Sequence, residues 1–177
     1  MFSNACKKDD SSSTPTVKLG QSYQGGIVFY ILKAGDIGYN ASVQHGLIAS
    51  DKDQLNLQGI AWAPSFSNVL VGTTFTAIGT GNANTNAIVA KLGNGSYAAK
   101  LCYDLELNGY SDWYLPSKEE LNKILISPYL SYFSTSSLYW SSSEVNNSDA
   151  WCQNFVSGHQ NDNSKTSPYR VRAIRSF

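Results

Sequence analysis

Net charge is absent from this sequence: 13 Lys and Arg balance 13 Asp and Glu across 177 residues. Such a balance exerts no pull on a polyanion, so nucleic acid and acidic membrane surfaces are excluded as expected partners. Charged residues of either sign are scarce too, at 15%. No apolar run approaches the roughly 18 to 20 residues that cross a bilayer as a helix. The longest run, Gly26 to Leu32, suits a buried strand instead. Histidine is limited to His45 and His159, and neither GxSxG nor HExxH occurs. A hydrolase therefore lacks its usual nucleophile and metal motifs. His45 precedes a strand and reads as structural, whereas His159 lies in a polar loop and is a candidate ligand contact. No tandem repeat of roughly 20 to 50 residues is present. The three cysteines, Cys6, Cys102 and Cys152, have no zinc spacing. What the chain does have is Ser, Asn, Gly and Tyr, with aromatics at 12%. This is a neutral, hydrogen-bonding composition, common in exported β-rich domains.

The length suits one folded domain with a short tail. Residues 1–19 read as that tail. Its Ser/Thr/Pro stretch, Ser11 to Thr16, has too little apolar surface to fold. Residues 20–177 form the expected domain. Three short strands are expected early, at Gln24 to Leu32, His45 to Ser50 and Gly59 to Ala63. A long ordered loop follows, from Ser65 to Asn82. Two helices are then expected. The first covers Thr85 to Leu92, with Gly93 as its C-terminal cap. The second covers Tyr97 to Leu107, where Ala98, Leu101, Cys102 and Leu105 make one apolar face.

The stretch "NGYSDWYLPSKEEL", residues 108 to 121, is the densest signal. Asn108-Gly109 ends the preceding helix, because both residues tolerate a left-handed backbone. Ser117 to Glu120 has the form of a capping box opening a third helix, with Leu121, Ile124 and Leu125 inward and Pro128 limiting its length. Glu119 and Glu120 are then helix-start acids rather than catalysts. Trp113 and Leu115 are expected in the core. The remainder reads as strands at Leu138 to Glu144, Ala150 to Gly158 and Tyr169 to Phe177. In the middle one, Trp151, Gln153 and Phe155 share one face, with Trp151 mainly in the core, and Cys152 and Asn154 share the other. Cys152 then faces outward while Cys102 faces inward. Cys102 and Cys152 are nevertheless the candidate disulfide pair; the other reading is two unrelated thiols. Arg170, Arg172 and Arg175 are expected to pair inside the fold.

Taken together, "GGIVFY", "HGLIAS", "GIAWA", "LCYDLELNGYSDWYLPSKEELN", "YWSSSE" and "VRAIR" resemble the lectin-like domain at the C-terminus of collagen-like bacterial adhesins, from about Gly20 to Phe177. The resemblance implies an α+β, C-type-lectin-like fold: small antiparallel sheets, two or three helices, long loops and chain ends close together. It also implies a surface-binding or adhesion module, in some relatives a diversified one. The stretch before and after Cys6, "SNACKKDD", resembles a bacterial lipoprotein start with a surface-sorting signal. By that resemblance Cys6 carries lipid, the anchor is in the outer membrane, and the signal peptide is truncated, since only five residues precede it.

Between Ser141 and Tyr169, polar side chains sit on a Trp and Phe frame, as in antibody loops. The candidate contacts are Asn146, Asn147, Asp149, Trp151, Asn154, His159, Asn161, Asp162 and Asn163, and the expected ligand is a glycan or a surface protein. The other reading is a polar hairpin whose Asn and Asp residues satisfy their own turns. No cofactor is expected; calcium is the one ion suggested, through Asn161 to Asn163 with Asp149 or Glu144. Two alternatives stand beside the binding module. "WYLPSKEEL" is also similar to a stretch of formylglycine-generating enzymes, which use a cysteine pair to hold copper. The domain could also oligomerise a surface stalk.

Overall fold

The computed structural model describes residues 16–55, 59–64, 68–72, 75–129 and 138–177. The architecture is α+β, with two antiparallel sheets and three helices among these residues. The first sheet has the order β1-β2-β3-β7, from Ser22–Tyr23, Gly26–Ile31, Gly46–Ala49 and Ile174–Ser176. The second has the order β4-β5-β6, from Leu138–Glu144, Asp149–Asn154 and Gln160–Ser164. The helices are α1 (Gly81–Leu92), α2 (Ala98–Tyr103) and α3 (Lys118–Leu125).

The C-terminal segment stitches the two sheets together. Arg170 donates its amide to Leu138 O and accepts from Trp140 N, beside β4. Four residues on, Ile174 pairs with Ala49 in the first sheet and with Tyr114 through both of its backbone groups. This explains why the apolar run Tyr169 to Phe177 yields a strand of only three residues: the chain changes sheets within it. The first described residues, Thr16 and Val17, line one hollow with Phe177, so the two ends of the described chain lie close together.

Two apolar clusters form the core. One holds Trp62, Tyr97, Cys102, Trp113, Trp140 and Cys152; the other holds Phe29, Leu47, Tyr114, Leu121, Ile124 and Tyr139. Buried indoles need acceptors for their N–H groups. Trp62 donates to Ser141 O at 2.8 Å and Trp140 donates to Ile60 O at 2.9 Å. That reciprocal pair ties the 59–63 segment to β4. Gly59 to Ala63 is therefore not a strand. It forms a single bridge, Ile60 to Tyr169, and then sends Trp62 N to Lys165 O.

Further boundaries differ from the sequence expectation for local reasons. Helix α1 begins at Gly81, four residues before Thr85. Its first turn is polar, and Asn84 is buried because its amide closes a two-way bond with the Phe75 backbone. Helix α2 stops at Tyr103, short of Leu107. Asn108 and Gly109 do not end it. They are the two-residue tip of a small hairpin in which Leu107 and Tyr110 exchange both backbone bonds. Their φ values of 53° and 82° are those a tight hairpin turn of this hand requires. The Ser117 capping box forms as expected. Strand β6 was hidden by its composition, since "QNDNS" has no apolar alternation. It exists because each residue finds a partner on β5, from Gln160 opposite Gln153 to Ser164 opposite Asp149.

Candidate functional site

The corner "SDWYLPSKEEL" is consumed by structure. Arg175, 5% exposed, donates Nε and Nη2 to the two Asp112 oxygens, both at 2.7 Å. These bonds hold the Asp112 carboxyl below the usual carboxylate range. The same guanidinium lies 4.0 Å from the Tyr110 ring centroid and donates to Gln24 O and Oε1. Glu120 is fully buried. Its carboxylate accepts from the amides of Gly79 and Ser117 at 2.8 Å and from Gly81. Burial raises its pKa to about 7, against those donors, which pull it down. Glu120 is thus the staple between α3 and the start of α1, a stronger role than a helix-start acid. The arginines of the last segment pair inward, as expected: Arg172 meets buried Asp53 at 2.5 Å, and Tyr139 donates to the same carboxylate.

The C-terminal rim is built on β5 and β6, and it splits in two. One group is already engaged. Asn146 Oδ1 accepts from Ser148 N and Asp149 N at 2.7 and 2.8 Å, and its Nδ2 donates to Asp149 Oδ2. Asn154 Oδ1 accepts from Val156 N and Ser157 N at 2.8 and 3.1 Å. Asn163 Nδ2 donates to Cys152 Sγ at 3.1 Å. Asn146, Asp149 and Asn154 close turns, and Asn163 faces the core side. The second group stands open. Asn147, His159, Asn161 and Asp162 are exposed. Among the described residues no side-chain hydrogen bond is formed by His159, Asn161 or Asp162, and Asn147 has only a 3.5 Å contact with Ser148.

Trp151 is a correction to the sequence reading. Cys152 and Ala150 pack in the core, so the strand alternation puts Trp151 on the other face, half-buried beside α3. The Lys118 ammonium sits 3.7 Å from its ring centroid, a cation–π contact over one indole face. Asp162 is its direct partner on β6. Helix α3 fixes this face further, with Gln160 Nε2 on Lys118 O and Gln153 Nε2 on Asn122 Oδ1, both at 2.9 Å. Gln153 is buried, and its amide nitrogen finds its acceptors there in Asn122 and Gly158 O. Lys118 was invisible to sequence reasoning because its neighbour on β5 is 33 residues away.

Cys152 is buried, not outward, and Cys102 is buried too; both thiols are free, so the candidate disulfide is not formed. Burial pushes both thiols up, and neither stands at a surface. Cys6 lies outside the described residues. Glu144 is likewise no loop ligand. It is paired with Lys165 at 2.5 Å, each side chain 3% exposed, and it accepts from the amides of Val71 and Gly72. Lys165 also donates to Val69 O and Asn147 O. This buried pair fastens the 68–72 loop beneath the rim. Among the described residues no cluster of three His, Cys, Asp or Glu side chains is placed to hold a metal.

Hollows lie elsewhere. One, of about 380 Å³, is bounded by the β1–β2 hairpin, Asp51 and Asn108. A second, of about 460 Å³, lies at Glu106 to Ser111 and shares Asn108 with the first.

Among solved structures, the chain is similar to a fimbrial protein from Bacteroides ovatus ATCC 8483, at a TM-score of 0.53 and 16% identity. The alignment covers 84% of this chain and 43% of that one, so the chain spans less than half of that protein's length. At that identity the likeness is one of fold. No curated protein matches the chain. The family model of the Lcl C-terminal domain matches residues 54–175, from the segment before the Trp62 loop to β7. With most of its length inside that match, the chain belongs to the Lcl C-terminal domain family.

Proposed function

We infer that this domain is a non-catalytic, surface-associated binding module of C-type-lectin-like architecture, and that its open rim takes a glycan or a protein. One observation carries the reading. On a frame held by α3 and the Glu144–Lys165 pair, His159, Asn161 and Asp162 project side-chain donors and acceptors that form no hydrogen bond among the described residues, and Asn147 has only a 3.5 Å contact with Ser148. Leaving such groups uncommitted on a stiff support favours recognition, because little order is lost on binding. Trp151 adds apolar area beside Asp162, with Lys118 covering one ring face. The likeness to a fimbrial protein and the family membership support a place at the cell surface. In this reading residues 1–19 are a tether and Cys6 the lipid-anchored residue. Two buried, unpaired thiols support the non-catalytic reading over a copper enzyme of the formylglycine-generating type.

The test is a glycan and cell-surface binding screen of the full chain, with and without calcium. Replacing His159, Asn161 and Asp162 together by Ala should abolish the binding found while leaving the melting temperature unchanged. Undiminished binding by that variant would overturn the assignment of the rim. Oxidation of a thiol substrate by the copper-loaded protein would overturn the non-catalytic reading.

A further inference from the structure

The open side chains of the rim do not all face one way. Residues directly opposite each other on neighbouring strands share a face, and successive residues alternate. Asn161 lies opposite Cys152 and Asp162 opposite Trp151. Asn161 therefore belongs to the core-side face and Asp162 to the face beside α3. A compact ligand resting on either face meets only one of them. What the two share is the edge of the sheet.

That edge is open. Among the described residues β6 pairs with β5 on one side only. The other sheet borders are short or covered: β1 has two residues, β7 takes Tyr114 on its outer side, and β4 takes Arg170. The phase of the ladder decides which groups β6 turns outward. Asn154 N donates to His159 O beyond one end of the β5–β6 pair, and Lys165 N donates to Ser148 O beyond the other. Bonded pairs alternate in an antiparallel ladder. Asn161 and Asn163 therefore bond to β5, while Gln160, Asp162 and Ser164 point their N–H and C=O groups away from it. Ser164 O accepts from Ser167 N. The backbone groups of Gln160 and Asp162 have no partner among the described residues. Folded proteins blunt such an edge with lysine, proline or a bulge. The strand "QNDNS" has neither residue, and its five pairs run without a shift of register.

Resting on the reading of the rim as a recognition surface, we propose that its ligand is an extended segment of another protein, which adds to β6 as a further strand and sets a lysine or arginine opposite Asp162. An added strand makes the backbone bonds that Gln160 and Asp162 lack, and its alternating side chains reach Asn161 on one face and Asp162 on the other. Charge selects the facing residue. Asp162 is exposed and has no cation of its own among the described residues, since Lys118 sits on the Trp151 ring one strand inward. Opposite charges across a ladder stabilise it, and like charges destabilise it. A second copy suits the edge less well. Pairing β6 with itself about Asp162 sets two carboxylates against each other, and an off-centre register shortens an overlap of only five residues.

The experiment is an amide-resolved NMR titration of the full chain with two blocked peptides of alternating Thr and Val, one with a central Lys and one with a central Glu. The Lys peptide is expected to bind saturably, at a Kd on the order of 1 mM. The amides of Gln160 and Asp162 should shift and exchange more slowly with solvent, while those of Asn161 and Asn163, already in the ladder, change little. The Glu peptide should bind about fivefold more weakly. Asp162→Lys should reverse that preference. Asp162→Pro removes an outward N–H and no ladder bond, and should abolish binding of both peptides. Four results overturn strand addition: no saturable shift with the Lys peptide, equal protection at Asn161 and Asp162, a preference that Asp162→Lys leaves unchanged, or the same shifts on raising protein concentration alone, which would assign the edge to a second copy. The cell-surface screen separates this from the rim reading. Full binding by Asp162→Pro, with binding lost in the His159, Asn161 and Asp162 triple variant, sinks strand addition and keeps the rim; full binding by the triple variant sinks the rim itself.

Discussion

The corner at residues 108–121 and the rim at residues 146–163 are made of similar material, and the fold treats them in opposite ways. Each combines Asn, Asp and Ser with one tryptophan. At the corner, Asp112, Ser117 and Glu120 are bound to Arg175 or to backbone amides, and Trp113 donates to Tyr110 O. On the rim, Asn146 and Asn154 behave like the corner residues, whereas His159, Asn161 and Asp162 do not. Residue type does not separate the two behaviours. What separates Asn146 and Asn154 from Asn161 and Asp162 is whether an unpaired backbone amide lies within the side chain's reach, two or three residues on. A turn folds such an amide back to the side chain; a strand keeps its amides in the plane of the sheet. The open side chains of Asn161 and Asp162 are on β6, and the engaged ones, Asn146 and Asn154, stand at turns.

The contrast can be broken from the inside first. Lys165→Ala leaves the Glu144 carboxylate buried without its cation and should cost about 3 to 5 kcal/mol, read by chemical denaturation. A loss below about 1 kcal/mol would show that the pair does not fasten the rim's support. Glu120 comes next. Its folded pKa, about 7, lies above its ordinary 4.5. The folded state therefore holds that proton more tightly, and its stabilising effect is full below about pH 4.5 and lost as pH rises through about 7. The fall should be on the order of 3 kcal/mol. Glu120→Gln should flatten this part of the stability profile, and an unchanged slope would remove Glu120 as its source. Smaller still, Asn146→Ala and Asn154→Ala should each destabilise by about 1 kcal/mol, since each strands backbone amides in a turn. Smallest of all, Asn161→Ala and Asp162→Ala should stay within about 0.5 kcal/mol of the parent. Equal effects for the turn pair and the strand pair would erase the distinction.

Much of the scaffold was legible in the sequence, and the reasons are local. The capping box at Ser117, the strand Leu138–Glu144 and the Gly93 cap each rest on signals within a few residues. The inward pairing of the arginines followed from their place on an apolar terminal strand. What stayed hidden depends on partners distant in sequence. Polar β6 is a strand only because β5 lies beside it. Cys152 is buried because it lies opposite Trp140, in the cluster that also holds Ala150, and Trp151 on the other face is only half-buried; alternation alone does not reveal which face takes that cluster. Asn108-Gly109 carried its own hairpin signal, but the apolar stripe before it favoured a longer helix, and α2 ends at Tyr103. On the rim, exposure was legible and commitment was not. Nothing in the sequence says that Asn154 closes a turn while Asp162 faces solvent.

The central claim is that the fold leaves His159, Asn161 and Asp162 free because binding uses them. The most direct measurement compares cell-surface binding and the unfolding midpoint for two variants, His159→Ala/Asn161→Ala/Asp162→Ala and Asn146→Ala/Asn154→Ala. The account predicts lost binding with an unchanged midpoint for the triple variant, and a lowered midpoint for the double variant. Full binding by the triple variant would contradict it.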